Sequence, residues 1–129
     1  MATLQEQDGV ACRSARHGGT ESPAVGRRPL MGPAQADRLG RLFTCLAHPT
    51  RLRLIHALIR AGELGAGDLA EAVGVTPQVA SNQLKRLVEL QIVARRREGP
   101  ACIYRIIDPC VPLLIERGWC HVESYVNPS

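Results

Sequence analysis

The chain has 129 residues, 45% of them hydrophobic but only 3% aromatic, and a formal charge of +4. That length fits one domain with an appendage, on a small aliphatic core that a partner subunit would help to stabilise. No apolar run approaches the roughly 20 residues a bilayer requires and no charged-then-apolar leader opens the chain, which argues against a membrane protein, while the basic balance suits an anionic partner.

Residues 1–33 carry glycines at 9, 18, 19, 26 and 32 and prolines at 23, 29 and 33, with no helical or strand period. They predict a disordered N-terminal arm. Cys12 and His17 on that arm are ligand types, but a flexible tail seldom holds a metal.

From Ala34 onward the pattern is regular, and residues 34–126 read as the folded domain. Leu39, Leu42, Phe43 and Leu46 recur at helical spacing. The break His48-Pro49-Thr50 precedes a second helix with Leu52, Ile55, Leu58 and Ile59 inside, where Arg51 and Arg53 are expected to face solvent or phosphate. Gly62 ends it. Asp68, Leu69, Ala70 and Val73 make a short third helix closed by Gly74.

The turn Gly74-Val75-Thr76 leads into the stretch around which the chain is organised, Val75 to Leu90. Thr76 is a good N-cap and Pro77 suits the first helical position. At about 100° per residue Ala80, Leu84 and Leu87 share an inner stripe. Gln78, Asn82, Lys85 and Arg86 share the opposite face, with Ser81 on its flank. Amides there can pair bidentately with an adenine edge, and cations suit guanine or phosphate. A short helix, a tight glycine turn and a polar-faced helix make a helix-turn-helix.

After Leu90 the period becomes two. Ile92 to Arg96 and Cys102 to Ile107 read as strands joined by a long loop, Arg97 to Ala101. A hairpin placed there is a wing. Between Thr76 and Arg105 six cations, Lys85, Arg86, Arg95, Arg96, Arg97 and Arg105, face two carboxylates, Glu89 and Glu98. The segment's charge of +4 equals that of the whole chain, so the positive field is concentrated here.

Asp108-Pro109 opens a last helix, apolar through Val111, Leu113, Leu114, Ile115, Trp119 and Val122 and weakened by Pro112 and Gly118. So apolar a helix is expected to pack on another subunit. The cysteines, at 12, 45, 102, 110 and 120, are odd in number and lack CxxC spacing. A disulfide framework or zinc knuckle is not expected, and a reducing cytoplasm fits.

Residues of about 37 to 124 resemble the ArsR/SmtB family of winged-helix repressors, dimeric bacterial metal and metalloid sensors. The resemblance lies in Leu46-Ala47-His48-Pro49-Thr50-Arg51-Leu52-Arg53-Leu54-Ile55, similar to the family's "ALADPTRLRIL". It continues in Ser81-Asn82-Gln83-Leu84-Lys85-Arg86-Leu87, similar to "SHQLRxL" with Asn82 for the usual histidine, and in Arg96-Arg97-Glu98-Gly99 leading to Tyr104. It implies a mainly α fold with a β-hairpin wing, a homodimer through the first and last helices, and binding to an imperfect inverted repeat of double-stranded DNA. Ligand binding in such proteins releases the operator.

The family's thiolate box, Glu-Leu-Cys-Val-Cys-Asp-Leu, aligns with Glu63-Leu64-Gly65-Ala66-Gly67-Asp68-Leu69, where both ligands are glycine. That site is absent. A second family pattern, Asp-x-His then His-x-x-Glu, aligns with Asp108-Pro109-Cys110 and His121-Val122-Glu123, the carboxylate shifted by one. Along one helix Cys110 and His121 stand about 16 Å apart, so closing a site needs two antiparallel helices across a dimer axis. Asp108, Cys110, Cys120, His121, Glu123 and Cys45 are the candidate ligands. Arsenite, cadmium, zinc or nickel are the candidate ions. Asp108 also fits a helix cap, and Cys45 and Cys102 fit small packed residues.

The expected activity is that of a non-enzymatic, cytoplasmic repressor, with Gln78, Ser81, Asn82 and Lys85 reading the major groove. Arg86 and Arg95 to Arg97 would hold phosphates or a minor groove, and a thiophilic inducer would cause release. The rivals are a thiol redox or persulfide switch, a repressor with no inducer, and a winged-helix module binding protein. A thiol enzyme is the poorest fit, because Cys120 and His121 point about 100° apart and no oxyanion-forming loop accompanies them.

Overall fold

The computed structural model describes residues 24–126; of the expected arm over 1–33, residues 1–23, with Cys12 and His17, lie outside them. Residues 34–112 form one compact unit, and the terminal segments, described at 24–33 and 113–126, belong to a second. Ala24–Arg27 is a 3-10 turn with no buried residue.

Helix α1 runs Pro33–Leu46 and buries only Cys45 and Leu46, leaving Leu39 and Phe43 exposed. Helix α2, Pro49–Ala61, starts at His48, whose Nδ1 accepts from the Arg51 amide at 3.4 Å, with Pro49 in the first turn. Ile55 and Leu58 are buried as expected and Leu54 joins them, whereas Leu52 and Ile59 are 36% and 40% exposed. The helix is rolled so that Arg51, one turn before Leu54 and Ile55, faces inward. Neither expected outward arginine is simply solvated. The Arg51 guanidinium donates to Gln83 Oε1 at 2.7 Å and to the Cys45 carbonyl at 3.0 Å, and Arg53 donates to the Val73 carbonyl at 2.7 Å.

Gly62, at φ 86°, ends α2 and a short strand β1, Glu63–Gly65, follows. Nothing in the local pattern signals this strand, since three residues beside glycines carry no alternation. Helix α3, Ala66–Val73, closes at Gly74 in the left-handed conformation (φ 77°, ψ 35°), where the amides of Gly74 and Val75 both reach the Ala70 carbonyl. Helix α4, Pro77–Glu89, begins as expected: Thr76 Oγ1 accepts from the Val79 amide at 3.2 Å. Ala80, Leu84 and Leu87 are fully buried. Gln91, at φ 61°, reverses the chain, and the Ile92 amide bonds back to the Leu87 carbonyl.

Strands β2, Val93–Glu98, and β3, Ala101–Ile106, complete an antiparallel sheet of order β1-β3-β2. The expected long loop is instead a two-residue turn, because Glu98 pairs directly with Ala101. Gly99 at φ 60° followed by Pro100, whose ring holds φ near −65°, supplies the backbone signs of a type II′ hairpin turn.

Helix α5 spans Val111–His121, starting two residues later than expected, and continues as a π-helical turn over Val122–Val126. Asp108 Oδ1 accepts from the amides of Cys110 at 2.8 Å and Val111 at 3.3 Å, so it caps the helix. Leu113, Trp119, Val122 and Tyr125 are exposed. No described helix is long and apolar enough to cross a membrane.

Truncating Leu84 to alanine should cost about 2–5 kcal/mol of unfolding free energy, the usual cost of opening a cavity in a packed core. Urea denaturation at fixed protein concentration measures it, and a loss below about 1 kcal/mol would show that α4 is not anchored through this residue.

Candidate nucleic-acid interface

With Ala80, Leu84 and Leu87 inside, the opposite face of α4 has only solvent to meet. Gln78, Ser81, Asn82, Lys85 and Arg86 are all exposed. Gln78 Nε2 donates to Asn82 Oδ1 at 3.1 Å. The pairing holds two amides side by side and leaves Gln78 its carbonyl oxygen and one N–H, the acceptor and donor that an adenine edge requires. Arg86 pairs with Glu89 at 3.3 Å, both half exposed, which leaves its charge partly neutralised.

The sheet divides the three consecutive arginines of the wing. Side chains alternate along a strand, and directly paired residues share a face. Arg95 pairs with Tyr104 and Arg97 with Cys102, whereas Arg96 pairs with Ile103 on the opposite face. Tyr104 is buried at 4% exposure, so Arg95 and Arg97 start from the side of the sheet that packs inward. Arg95 and Tyr104 join Ser81, Lys85, Val88 and Glu89 of α4 around an open notch of about 330 Å³. Arg97 donates to Cys102 Sγ at 3.6 Å. Lys85 and Arg95 form no ion pair with a described residue, so their charges are available to an anion.

Arg96 is held differently. Its guanidinium grips Glu63 of β1 bidentately, at 2.6 and 3.1 Å, and reaches Glu98 at 2.5 and 3.0 Å. Hydrogen bonding from Arg96, aided by the charges of Arg96 and Arg105, holds the Glu63 carboxyl below its ordinary range. The two carboxylates in turn raise the Arg96 pKa. Arg96, expected beside its neighbours as a DNA contact, has its guanidinium paired with Glu63 and Glu98 in the structure.

Gln83 was not singled out from the sequence. It is half-buried and takes the Arg51 hydrogen bond, tying α4 to the start of α2 and, through Arg51, to the end of α1. The matching arginine in the stretch after Pro49 was visible, but its partner lies 32 residues away and no spacing rule points to it.

The candidate ligands do not converge within the described residues, where no group of three or more His, Cys, Asp or Glu could hold a metal. Cys45 is buried, Cys102 half-buried and Cys110 exposed, all as free thiols. Cys120 is buried and disulfide-bonded, so it offers a thiolate only after reduction. His121 stacks on Tyr125 at 5.2 Å, and Glu123 is exposed. Asp108 has one carboxylate oxygen engaged by its own backbone.

A helix-turn-helix domain family matches residues 46–96. A transcriptional repressor SmtB homolog of Synechocystis sp. is 39% identical over 95 residues, covering 74% of this chain and 71% of that protein. The crystal structure of the antimony-specific transcriptional repressor AntR superposes with a TM-score of 0.74 at 44% identity, over 85% of this chain and 99% of that one. The homodimeric winged helix-turn-helix DNA-binding domain Mb0332 of Mycobacterium bovis matches with a TM-score of 0.65 at 26% identity, over 77% and 94%.

Replacing Arg51 with alanine and Gln83 with leucine, singly and together, should give a double-mutant coupling of about 0.5–3 kcal/mol in unfolding free energy. Additivity within about 0.3 kcal/mol would show that the bond contributes nothing to holding α4.

Proposed function

Since the chain belongs to the ArsR/SmtB family of winged helix-turn-helix transcriptional repressors, we propose that α4 and the wing are the parts that grip its operator. The observation that carries this is the exposed face of α4, which is polar and cationic while its other face is fully buried. Gln78 and Asn82 read base edges, Ser81 and Lys85 contact bases or phosphate, and Arg86, Arg95 and Arg97 hold the backbone.

The operator is an imperfect inverted repeat and the protein a cytoplasmic homodimer, because two-fold protein symmetry is mirrored in two half-sites. Exposed Leu39 and Phe43 on α1 and Leu113, Trp119 and Val122 at the other end of the chain support a dimer built from these helices. The neighbour Mb0332 is described as homodimeric, in keeping with it.

The inducer is a thiophilic ion: arsenite or antimonite first, then cadmium, zinc or nickel. AntR's antimony specificity supports the metalloid, and Cys110 supplies an exposed thiol for it. Cys110 of one subunit meets His121, and Cys120 once reduced, of the other, with Asp108, Glu123 and Cys45 as further donors. Binding favours the dimer state with low DNA affinity and so releases the operator.

Lys85→Ala and Arg97→Ala should each weaken binding and lower the slope of log K against log salt by about 0.9, measured by anisotropy between 50 and 200 mM salt. A wild-type chain that retards no duplex and shows no salt slope would instead be a protein-interaction module. Antimonite, arsenite, cadmium, zinc and an oxidant, titrated separately into the complex, should identify the releasing agent. Cys110→Ser should abolish release by the metalloids while leaving DNA affinity unchanged, and release that survives this change would remove Cys110 from the site.

A further inference from the structure

We infer that Arg96 is a positioning residue: with Glu63 and Glu98 it forms a strut that holds the wing at a fixed angle, so that Arg95 and Arg97 meet the DNA backbone. The inference rests on the DNA reading above, and deepens it by dividing the wing's cations into those that touch DNA and one that does not.

The pairing register shows why a strut is needed at this position. β1 covers β3 only from Arg105 to Ile103, where Gly65 is the last β1 partner. Arg96 pairs with that same Ile103. Arg96 therefore stands where the sheet stops being three strands wide and continues as a two-stranded ribbon, Arg97–Glu98 against Ala101–Cys102. A two-stranded ribbon on its own is marginally stable and free to twist.

Across that boundary the guanidinium reaches back over β3 to Glu63, two strands across and two residues back in register, and forward along β2 to Glu98, the last paired residue before the turn. Only a long side chain with a planar fork can make both connections, since a lysine ammonium is a point charge without bidentate geometry. Single exposed ion pairs contribute little, but bidentate contacts organised into a network are the exception. Both carboxylates lie on the sheet face opposite Arg95 and Arg97, so the strut leaves those two charges untouched.

The test is anisotropy of the full-length protein on a duplex selected by the unmodified chain from a random-sequence pool, across a salt series. Arg96→Ala should weaken binding about fivefold or more with the salt slope unchanged, because no phosphate contact is lost. Arg97→Ala, by contrast, should lower the slope by about 0.9. Glu63→Gln should also weaken binding, although deleting a negative charge ordinarily strengthens attraction to DNA. Arg96→Lys should fall between wild type and alanine.

A slope lowered by about 0.9 in Arg96→Ala would make Arg96 a phosphate contact and overturn the inference. So would tighter binding by Glu63→Gln, or unaltered affinity in Arg96→Ala. Glu63→Gln keeps the test open should Arg96→Ala fold poorly. If the wild-type chain selects no duplex, or Arg97→Ala leaves the slope unchanged, it is the DNA reading that fails.

Discussion

The roll of α4 about its own axis is the constraint on which the interface depends. Ala80, Leu84 and Leu87 have no exposed surface, and three side chains fixed along one stripe leave a helix a single orientation. Gln78, Asn82 and Lys85 are then outward by geometry, at no cost in buried polar groups. No buried side-chain nitrogen or oxygen among the described residues lacks a hydrogen-bond partner. The described polar side chains thus meet water or a neighbour, and none is trapped unpaired in the aliphatic core.

A second fixing acts at the other end of the fold's polar network. Arg51 is a cation at a position where its helix otherwise carries leucine and isoleucine. It stays there because the Cys45 carbonyl and the Gln83 amide accept its protons. The end of α1, the start of α2 and the middle of α4 therefore share one guanidinium.

Helices, caps and the helix-turn-helix were legible because each rests on local chemistry: Thr76 and Pro77 at a start, Gly62 and Gly74 at an end, and a 3.6-residue stripe between. Two kinds of feature were not. One depends on pairing between distant residues: β1 is a strand only because β3 lies beside it, and Arg51 turns inward only because Gln83 awaits it. The other depends on register. Counting charges placed Arg95, Arg96 and Arg97 in a single patch, while the pleat sends the middle one to the far side. The hairpin turn was read as a long loop because five polar or small residues look like one, and only the pairing of Glu98 with Ala101 shortens it. The cysteines and His121 could be named from the sequence as candidate ligands, but the described residues bring no three such groups together.

Gly65 and Gly67 stand where the family resemblance places two thiolates. A methyl group built on Gly65 would meet only the Cys102 carbonyl at 3.6 Å and an Ile103 methyl at 3.7 Å, and one on Gly67 would meet nothing within 4 Å. Neither glycine has a positive φ, so neither is demanded by the path of the backbone. The backbone at these two positions thus has room for a Cβ and needs no glycine for its path. A small side chain could therefore stand at either position without moving a neighbour.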